Sequence, residues 1–388
     1  MTAAARHCPS WADLQPELLG LVLRRLPSLA DRVRLGAVCR GWRRIARQEP
    51  GLPPPLPWLT LLDGTFLGDQ SGEIHRMHVP EDASLHGSVG DWLFLKRPDG
   101  KLELMNPFSK CVVQLPVEAN GRLRDSIFHK LVPLSTLDDL SLEDSVFAVL
   151  TVTRGFQSVI SIGRRHSAPA ARTTIMPEYI YDAAFFEGKL YALALEKLFA
   201  FEIVASDDGR LSVSSMKHVA NAVEYLGTTM QLTIGDKTYN CIYRSYLVAT
   251  SGKLLQVRRL IGALSTLPKD ERFEAKNCVT LSFEVYEVDL TTNSKHKWKR
   301  LNTLRNQALF VGTRSSKALP ACECGAQENC IYFVCDYDHE HWTTDPLRDC
   351  GVFNMRNKMI TPLLLDTTVV RPQGCKGLPA WFFPTKTM

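Results

Sequence analysis

No stretch of this 388-residue chain approaches the roughly 18 to 20 consecutive apolar residues that a membrane-crossing helix needs, so no membrane partner is expected. Residues 1–11 lack the apolar segment of a secretory signal. Catalytic signatures are missing as well. There is no Gly-x-Ser-x-Gly elbow, no Walker loop, no Gly-x-Gly-x-x-Gly and no His-Glu-x-x-His. Beyond residue 58 no long helical periodicity separates the β-rich segments, which argues against parallel βαβ folds. What is present is ordinary for a globular chain: 45% hydrophobic and 22% charged residues, which excludes a mostly disordered one. Eleven cysteines, an odd number without a signal, read as reduced thiols in cytosol or nucleus.

Charge divides the chain unevenly. Residues 1–50 hold nine arginines, no lysine and four acids, a net +5 that equals the formal charge of the whole protein. The first fifty residues therefore suit an acidic partner, while the neutral remainder gives no electrostatic case for nucleic acid.

Those fifty residues read as helices. Ser10 or Asp13 can cap the first, with Pro16 and Glu17 in its first turn. Leu18, Leu19, Val22, Leu23 and Leu26 recur at helical spacing, and Pro27 ends the run. Ser28 and Asp31 offer caps for a second helix. Leu35, Val38, Trp42 and Ile45 then step by three, four and three, flanked by Arg40, Arg43, Arg44 and Arg47. A unit this small is marginal alone. Its apolar stripe either docks onto another protein or packs on this chain's own second domain. Residues 51–57 read GLPPPLP, a stiff spacer by composition, with PxxP spacing (Pro54, Pro57) as the alternative reading.

After Trp58 the pattern is of hairpins. Residues 91–95 and 101–105 flank a Pro-Asp-Gly turn. Residues 145–152 and 158–162 flank Arg154 and Gly155. Segments 183–186, 189–194 and 198–204 read as a meander. Pairs follow at 245–249 with 253–257 and at 283–290 with 297–301, then 331–335 and 352–355 before a turn at 356–358. Roughly 300 residues of local meander suit a β-propeller of six or seven blades, with irregular insertions at 117–143 and 205–240.

Two stretches resemble a known family. Trp11 through Leu19, then Val22, Leu26-Pro27, the 31–35 helix and Val38-Cys39-Arg40-Gly41-Trp42-Arg43 are similar to an F-box, whose usual Leu-Pro opening is here Leu14-Gln15 with Pro16 one place later. Over residues 58–388, Trp92 leading to Asn106-Pro107-Phe108 and Leu115-Pro116 resembles plant F-box-associated KIB-type propellers. So do residues 246–257, 283–288 with Trp298, 308–312, 329–333 and 379–382. The resemblance implies a mainly β protein: an all-α F-box over 1–50, a linker over 51–57 and a propeller over 58–388. It implies a non-catalytic substrate receptor of an SCF-type ubiquitin ligase in cytoplasm or nucleus. Leu14, Pro16, Leu18, Leu19, Val22, Leu26, Leu35, Val38, Cys39 and Trp42 would meet the Skp adaptor and, through it, the cullin-RING ligase. The propeller would hold a target protein that the sequence does not name. A non-ligase interaction scaffold and a propeller hydrolase are the alternatives.

No cofactor and no metal are expected. Cys322, Cys324, Cys330, Cys335, His339, His341 and Cys350 have zinc-type ligands at spacings that zinc knuckles do not use. Asp138-Asp139 and Asp207-Asp208 read as solvated turns rather than paired glycosidase carboxylates. Lys295, Lys297, Lys299 and Arg300 around His296 and Trp298 read as a hairpin end rather than a phosphate grip.

Overall fold

The computed structural model describes residues 11, 14–26, 29–48, 57–61, 64–67, 74–77, 79–80, 82–117, 126–134, 145–164, 172–205, 211–223, 230–291, 297–337, 347–363 and 378–384. Ser10, Asp13, Pro27, Ser28, Pro54, the pairs Asp138-Asp139 and Asp207-Asp208, Lys295, His296, His339 and His341 lie outside them.

Three helices come first: α1 (Pro16–Arg25), α2 (Leu29–Ala37) and α3 (Arg40–Gln48). Pro16 opens α1, where its missing N–H is one that no helical carbonyl would receive. Leu19, Leu23 and Ala46 form a small core, with Leu14, Leu35, Trp42 and Ile45 packed around it. Arg32 is buried and donates from Nε to the Leu26 carbonyl at 2.6 Å, tying α2 to the end of α1. Arg43 donates to the Gly36 carbonyl at the other end of α2.

The rest is six radial sheets. Blade one holds β1 (Trp58–Thr60), β2 (Thr65–Leu67) and β3 (Ile74–Arg76). Blade two holds β4 (Ser84–Val89), β5 (Trp92–Lys96), β6 (Leu102–Met105) and β7 (Val112–Gln114). Blade three holds β8 (Ser126–Pro133), β9 (Val146–Thr153), β10 (Ser158–Arg164) and β11 (Arg172–Ile175). Blade four holds β12 (Ile180–Phe186), β13 (Lys189–Ala194), β14 (Lys197–Ala205) and β15 (Leu211–Asn221). Blade five has five strands, β16 (Met230–Ile234), β17 (Lys237–Thr250), β18 (Lys253–Leu264), β19 (Cys278–Val288) and β20 (Trp298–Leu301).

Blade six departs from the meander. Its β21 (Gln307–Val311) turns back into β22 (Lys317–Pro320), then a short helix α4 (Ala321–Cys324) carries the chain over to β23 (Cys330–Phe333). That makes β21 and β23 parallel neighbours, with Ala308 beside Cys330 and Phe310 beside Tyr332. Strands β24 (Gly351–Asn354) and β25 (Ile360–Pro362) complete the sheet.

The ring closes through the last strand, β26 (Ala380–Phe382), which pairs antiparallel with β1, Leu59 opposite Trp381. Trp381 Nε1 donates to the Val311 carbonyl, stitching the closing strand to blade six. Blades are buried on both faces, so their strands bury alternate residues against opposite neighbours. On β18, Leu255 and Val257 pack with Phe333 and Phe353 of blade six, while Leu254 packs with Leu193 and Ala200 of blade four. Each junction between successive blades has its own hydrophobic cluster, from Trp58 with Leu93 between blades one and two to Phe310 with Trp381 between six and one.

The expected insertion over 205–240 is corrected: β15, β16 and the start of β17 lie there. Likewise β8 falls inside 117–143. The outer strand β15 has one sheet neighbour and is largely exposed, so its residues show little hydrophobic alternation.

Candidate functional site

Two surfaces carry features that a partner could use. The first is on the helical module. Of the ten residues expected on its docking face, Pro16, Leu18, Val22 and Val38 are exposed, the last three at 47%, 43% and 63%. Leu14, Leu26, Leu35, Cys39 and Trp42 are half-buried. Leu19 is fully buried, so it holds the helices together and offers no surface. Cys39 uses its sulfur to accept from the Trp42 amide at 3.4 Å, in place of the oxygen that usually caps a helix start. Leu21 is exposed at 52% and was missed by sequence reasoning. Its signal was its position three residues after Leu18, on the same helical face.

The module's charge is less uniform than its sequence. Arg32 is inside, its guanidinium lowered from the ordinary arginine range by burial. Arg34 pairs with Asp31 at 3.0 Å. Arg24, Arg25, Arg40, Arg43 and Arg44 remain exposed for long-range attraction.

The second surface is the propeller's axis. Strands β26, β4, β8, β12, β17 and β22 touch in sequence around it and are the inner strands. A cavity of about 580 Å³ opens at their centre, with the turns at Gly90, Glu187 and Thr250 at its rim. Its wall mixes apolar residues such as Phe185, Leu247 and Phe383 with Ser316 and Lys317. Lys130 lies in this wall and pairs with the buried Asp182, which also accepts from the Ala183 and Leu247 amides. Glu187 is the only carboxylate among the described residues that line the cavity, and neither histidine nor cysteine lines it. That set offers no second carboxylate to pair with Glu187 in the manner of a glycosidase.

A buried network fastens blades five and six. Arg259 donates to the Asp349 carboxylate at 2.7 Å, to Asp336 at 3.2 Å, to Thr280 Oγ1 at 2.8 Å and to the Val334 carbonyl at 2.7 Å. These carboxylates, with the Tyr246 hydroxyl, hold the guanidinium above its usual range despite burial. Asp336 also accepts from the Tyr246 hydroxyl and the Thr313 amide. With both carboxylates occupied by donors, the cluster is a clasp rather than a reactive site.

The cysteine cluster divides between blade six and its surface. Cys324, Cys330 and Cys335 are buried, Cys350 is half-buried and Cys322 is exposed. Burial pushes the Cys335 thiol up to about 12, and Cys335 donates its amide to Cys350 Sγ. Among the described residues no group of three or more His, Cys, Asp or Glu is placed to hold a metal ion. No helix there is long and apolar enough to cross a membrane. Trp298, at that hairpin end, packs half-buried against the cluster between blades four and five opposite Val288, and its Nε1 donates to the Asn221 carbonyl. Arg300, in the basic turn, pairs with Glu284 at 3.0 Å.

Comparison with known proteins matches both parts. Residues 65–354 match the family described as KIB1-4 beta-propeller, and residues 4–52 match the F-box-like family. The F-box protein At2g26160 of Arabidopsis thaliana is 23% identical over 84% of this chain and 96% of its own length. The probable F-box protein At4g22060 of the same plant is 30% identical over 32% of this chain, and the match spans 35% of that protein. Among solved structures, the Cps50 (Swd1) beta-propeller domain of Myceliophteria thermophila is similar over 73% of this chain and 97% of its own, at 9% identity and a TM-score of 0.28. An apocarotenoid oxygenase of Synechocystis covers 72% of this chain and 58% of its own, at 11% identity and a TM-score of 0.32.

Proposed function

Since the chain belongs to the KIB1-4 beta-propeller family and carries an F-box-like module, we propose that it is the substrate-recognition subunit of an SCF-type ubiquitin ligase. The observation that carries this reading is the helical module's surface. Leu18, Leu21, Val22 and Val38 stay exposed although the module has its own core. Exposed apolar side chains of this kind on a marginal unit suit a partner that covers them. That partner is a Skp-type adaptor, and the exposed arginines add attraction to its acidic surface. Pro16, Leu35 and Trp42 border the same contact.

The propeller, over about 58–388, is the target-binding part, joined to the module at 1–50 by the Pro-rich spacer 51–57. The subunit does no chemistry. It raises the local concentration of target lysines near a ubiquitin-charged enzyme, and proximity supplies the rate. Glu187, the one carboxylate among the described residues that line the axial cavity, supports this over a hydrolase that works with paired carboxylates. The assembly works in cytoplasm or nucleus.

Reconstitution tests the proposal. The full chain, mixed with a Skp-type adaptor and a cullin-RING core, should form one complex by size-exclusion chromatography. Adaptor binding without cullin recruitment would favour the non-ligase scaffold. Failure to bind the adaptor at all would refute the proposal.

A further inference from the structure

The inner strands β4 and β8 contribute only their later residues to the axial cavity, 88–89 and 130–133. Their first residues lie toward the opposite mouth of the axis. There the chain collects cations. Lys96 ends β5 opposite Ser84, and its Nζ donates to Ser126 Oγ at the start of β8 at 2.7 Å. His86 follows on β4, and His129 on β8 stands edge-on to it at 4.9 Å between ring centres. Arg314 arrives from blade six, on the turn between β21 and β22, and its guanidinium donates to the Leu85 carbonyl.

The turn is built to reach this place. Ser315 Oγ and Ser88 Oγ both donate to the Trp381 carbonyl, and the Thr313 amide donates to Asp336. Gly87 has φ +130°, and a Cβ there would stand 2.5 Å from the Arg314 carbonyl oxygen. The backbone can approach β4 only because that position is glycine.

Two polar atoms at this place are shielded from water and have no hydrogen-bond partner: Arg314 Nε and His86 Nδ1. Shielded polar atoms are paired in more than about nine cases of ten, so two in one cluster mark a missing group. Charge says the same. Arg314, His129 and Lys96 all act on His86 with the same sign, and together with burial hold it well below the usual histidine range. Asp336 is the acid felt by Arg314, but its oxygens already serve Arg259, Tyr246 and the Thr313 amide. Burial accordingly lowers Arg314 to about 10. Arg314 as a whole residue is half-buried and keeps part of its surface open to solvent.

We propose that this mouth of the axis, formed by Arg314, Lys96 and His86, is a binding site for a phosphate-type oxyanion. The planar guanidinium presents paired N–H donors of the spacing that such an anion accepts, and Lys96 adds a point charge. The anion would supply the missing partners and neutralise the cluster. The source is either free inorganic phosphate or a phosphoryl group carried on a protein side chain. The proposal stands independently of adaptor binding.

Calorimetric titration of the full-length protein with inorganic phosphate, at ionic strength held constant with sodium chloride, tests it. Saturable binding is expected, weakened tenfold or more by Arg314→Gln, because the lost contact is a charge-assisted pair. Lys96→Gln should weaken it as well, and serves as the test if Arg314→Gln does not fold. Competition by O-phosphoserine but not serine would assign the site to a phosphoryl side chain, and phosphate binding without such competition to the free anion. No saturable binding by the wild-type chain would overturn the proposal. So would phosphate affinity left unchanged in a folded variant.

Discussion

Replacing Leu18, Val22 and Val38 together by alanine isolates the docking face from the module's own core. Each residue is among the exposed ones, so each alanine is expected to change stability by about 0.5 kcal/mol, and the three together by no more than about 1.5 kcal/mol. The effect on association is larger. Alanine deletes two carbons from each valine and three from leucine, and each carbon newly buried on docking contributes about 0.8 kcal/mol. Only the part now exposed can be newly buried, 47% of Leu18, 43% of Val22 and 63% of Val38. Weighted so, the three truncations cost about 3 kcal/mol together, on the order of a hundredfold in Kd. Surface plasmon resonance against a Skp-type adaptor reads the affinity, and far-ultraviolet circular dichroism checks the helices. Trp42→Ala is a poorer test, because Trp42 packs against Leu19 and Leu23 and its loss would loosen the module. Leu19→Ala supplies the contrast: it should cost about 2 to 5 kcal/mol of module stability and weaken the adaptor only through unfolding. Unchanged affinity in the triple variant, with unchanged circular dichroism, would refute the reasoning.

The exposed arginines should act mainly on encounter, so raising salt slows adaptor association and leaves dissociation nearly constant; a salt-insensitive association rate in stopped-flow measurements would remove their role. Burial and the charges of Lys96 and Arg314 push His129 down to about 3, so the folded state resists its protonation. Because the folded value lies below the ordinary one near 6.5, the stability this provides is complete above pH 6.5. It is lost at about 1.4 kcal/mol per pH unit below that, until about pH 3. Denaturant melts at pH 7 and pH 5 should show the loss in the wild type and a smaller one in His129→Asn; equal slopes would discount the histidine. Deleting residues 378–388 removes β26 and leaves β1 without its inner partner, so the fragment should aggregate by light scattering rather than remain soluble. Gly87→Ala should lower the melting temperature, because a Cβ meets the Arg314 carbonyl at 2.5 Å and the φ is +130°; an unchanged melt would show that the turn can retreat without cost.

Much of the propeller was legible because its hairpins are local. A turn such as 154–155 or 187–188 is written in adjacent residues, and strands buried on both faces carry dense apolar sequences, as in β18. The same locality made α1 readable from Leu18, Leu19, Val22 and Leu23. Outer strands such as β15 were hidden because exposure relaxes the demand for alternation.

Taken alone, the order of residues determined two kinds of module, a basic helical one and a neutral β one, since periodicity and charge need no knowledge of distant neighbours. Tertiary structure decided which members of a helical stripe are spent internally: Leu19 went inside and Val38 stayed out, because three short helices can bury only one side of each. It decided the count of six blades, which depends on how many sheets close a ring through β26 and β1. It decided the crossover in blade six, where β22 returns to the axis before β23 pairs with β21. And it alone gathered Lys96, His86, His129 and Arg314, which lie more than two hundred residues apart at the extremes and meet only because a closed ring brings the inner strands of distant blades to one axis.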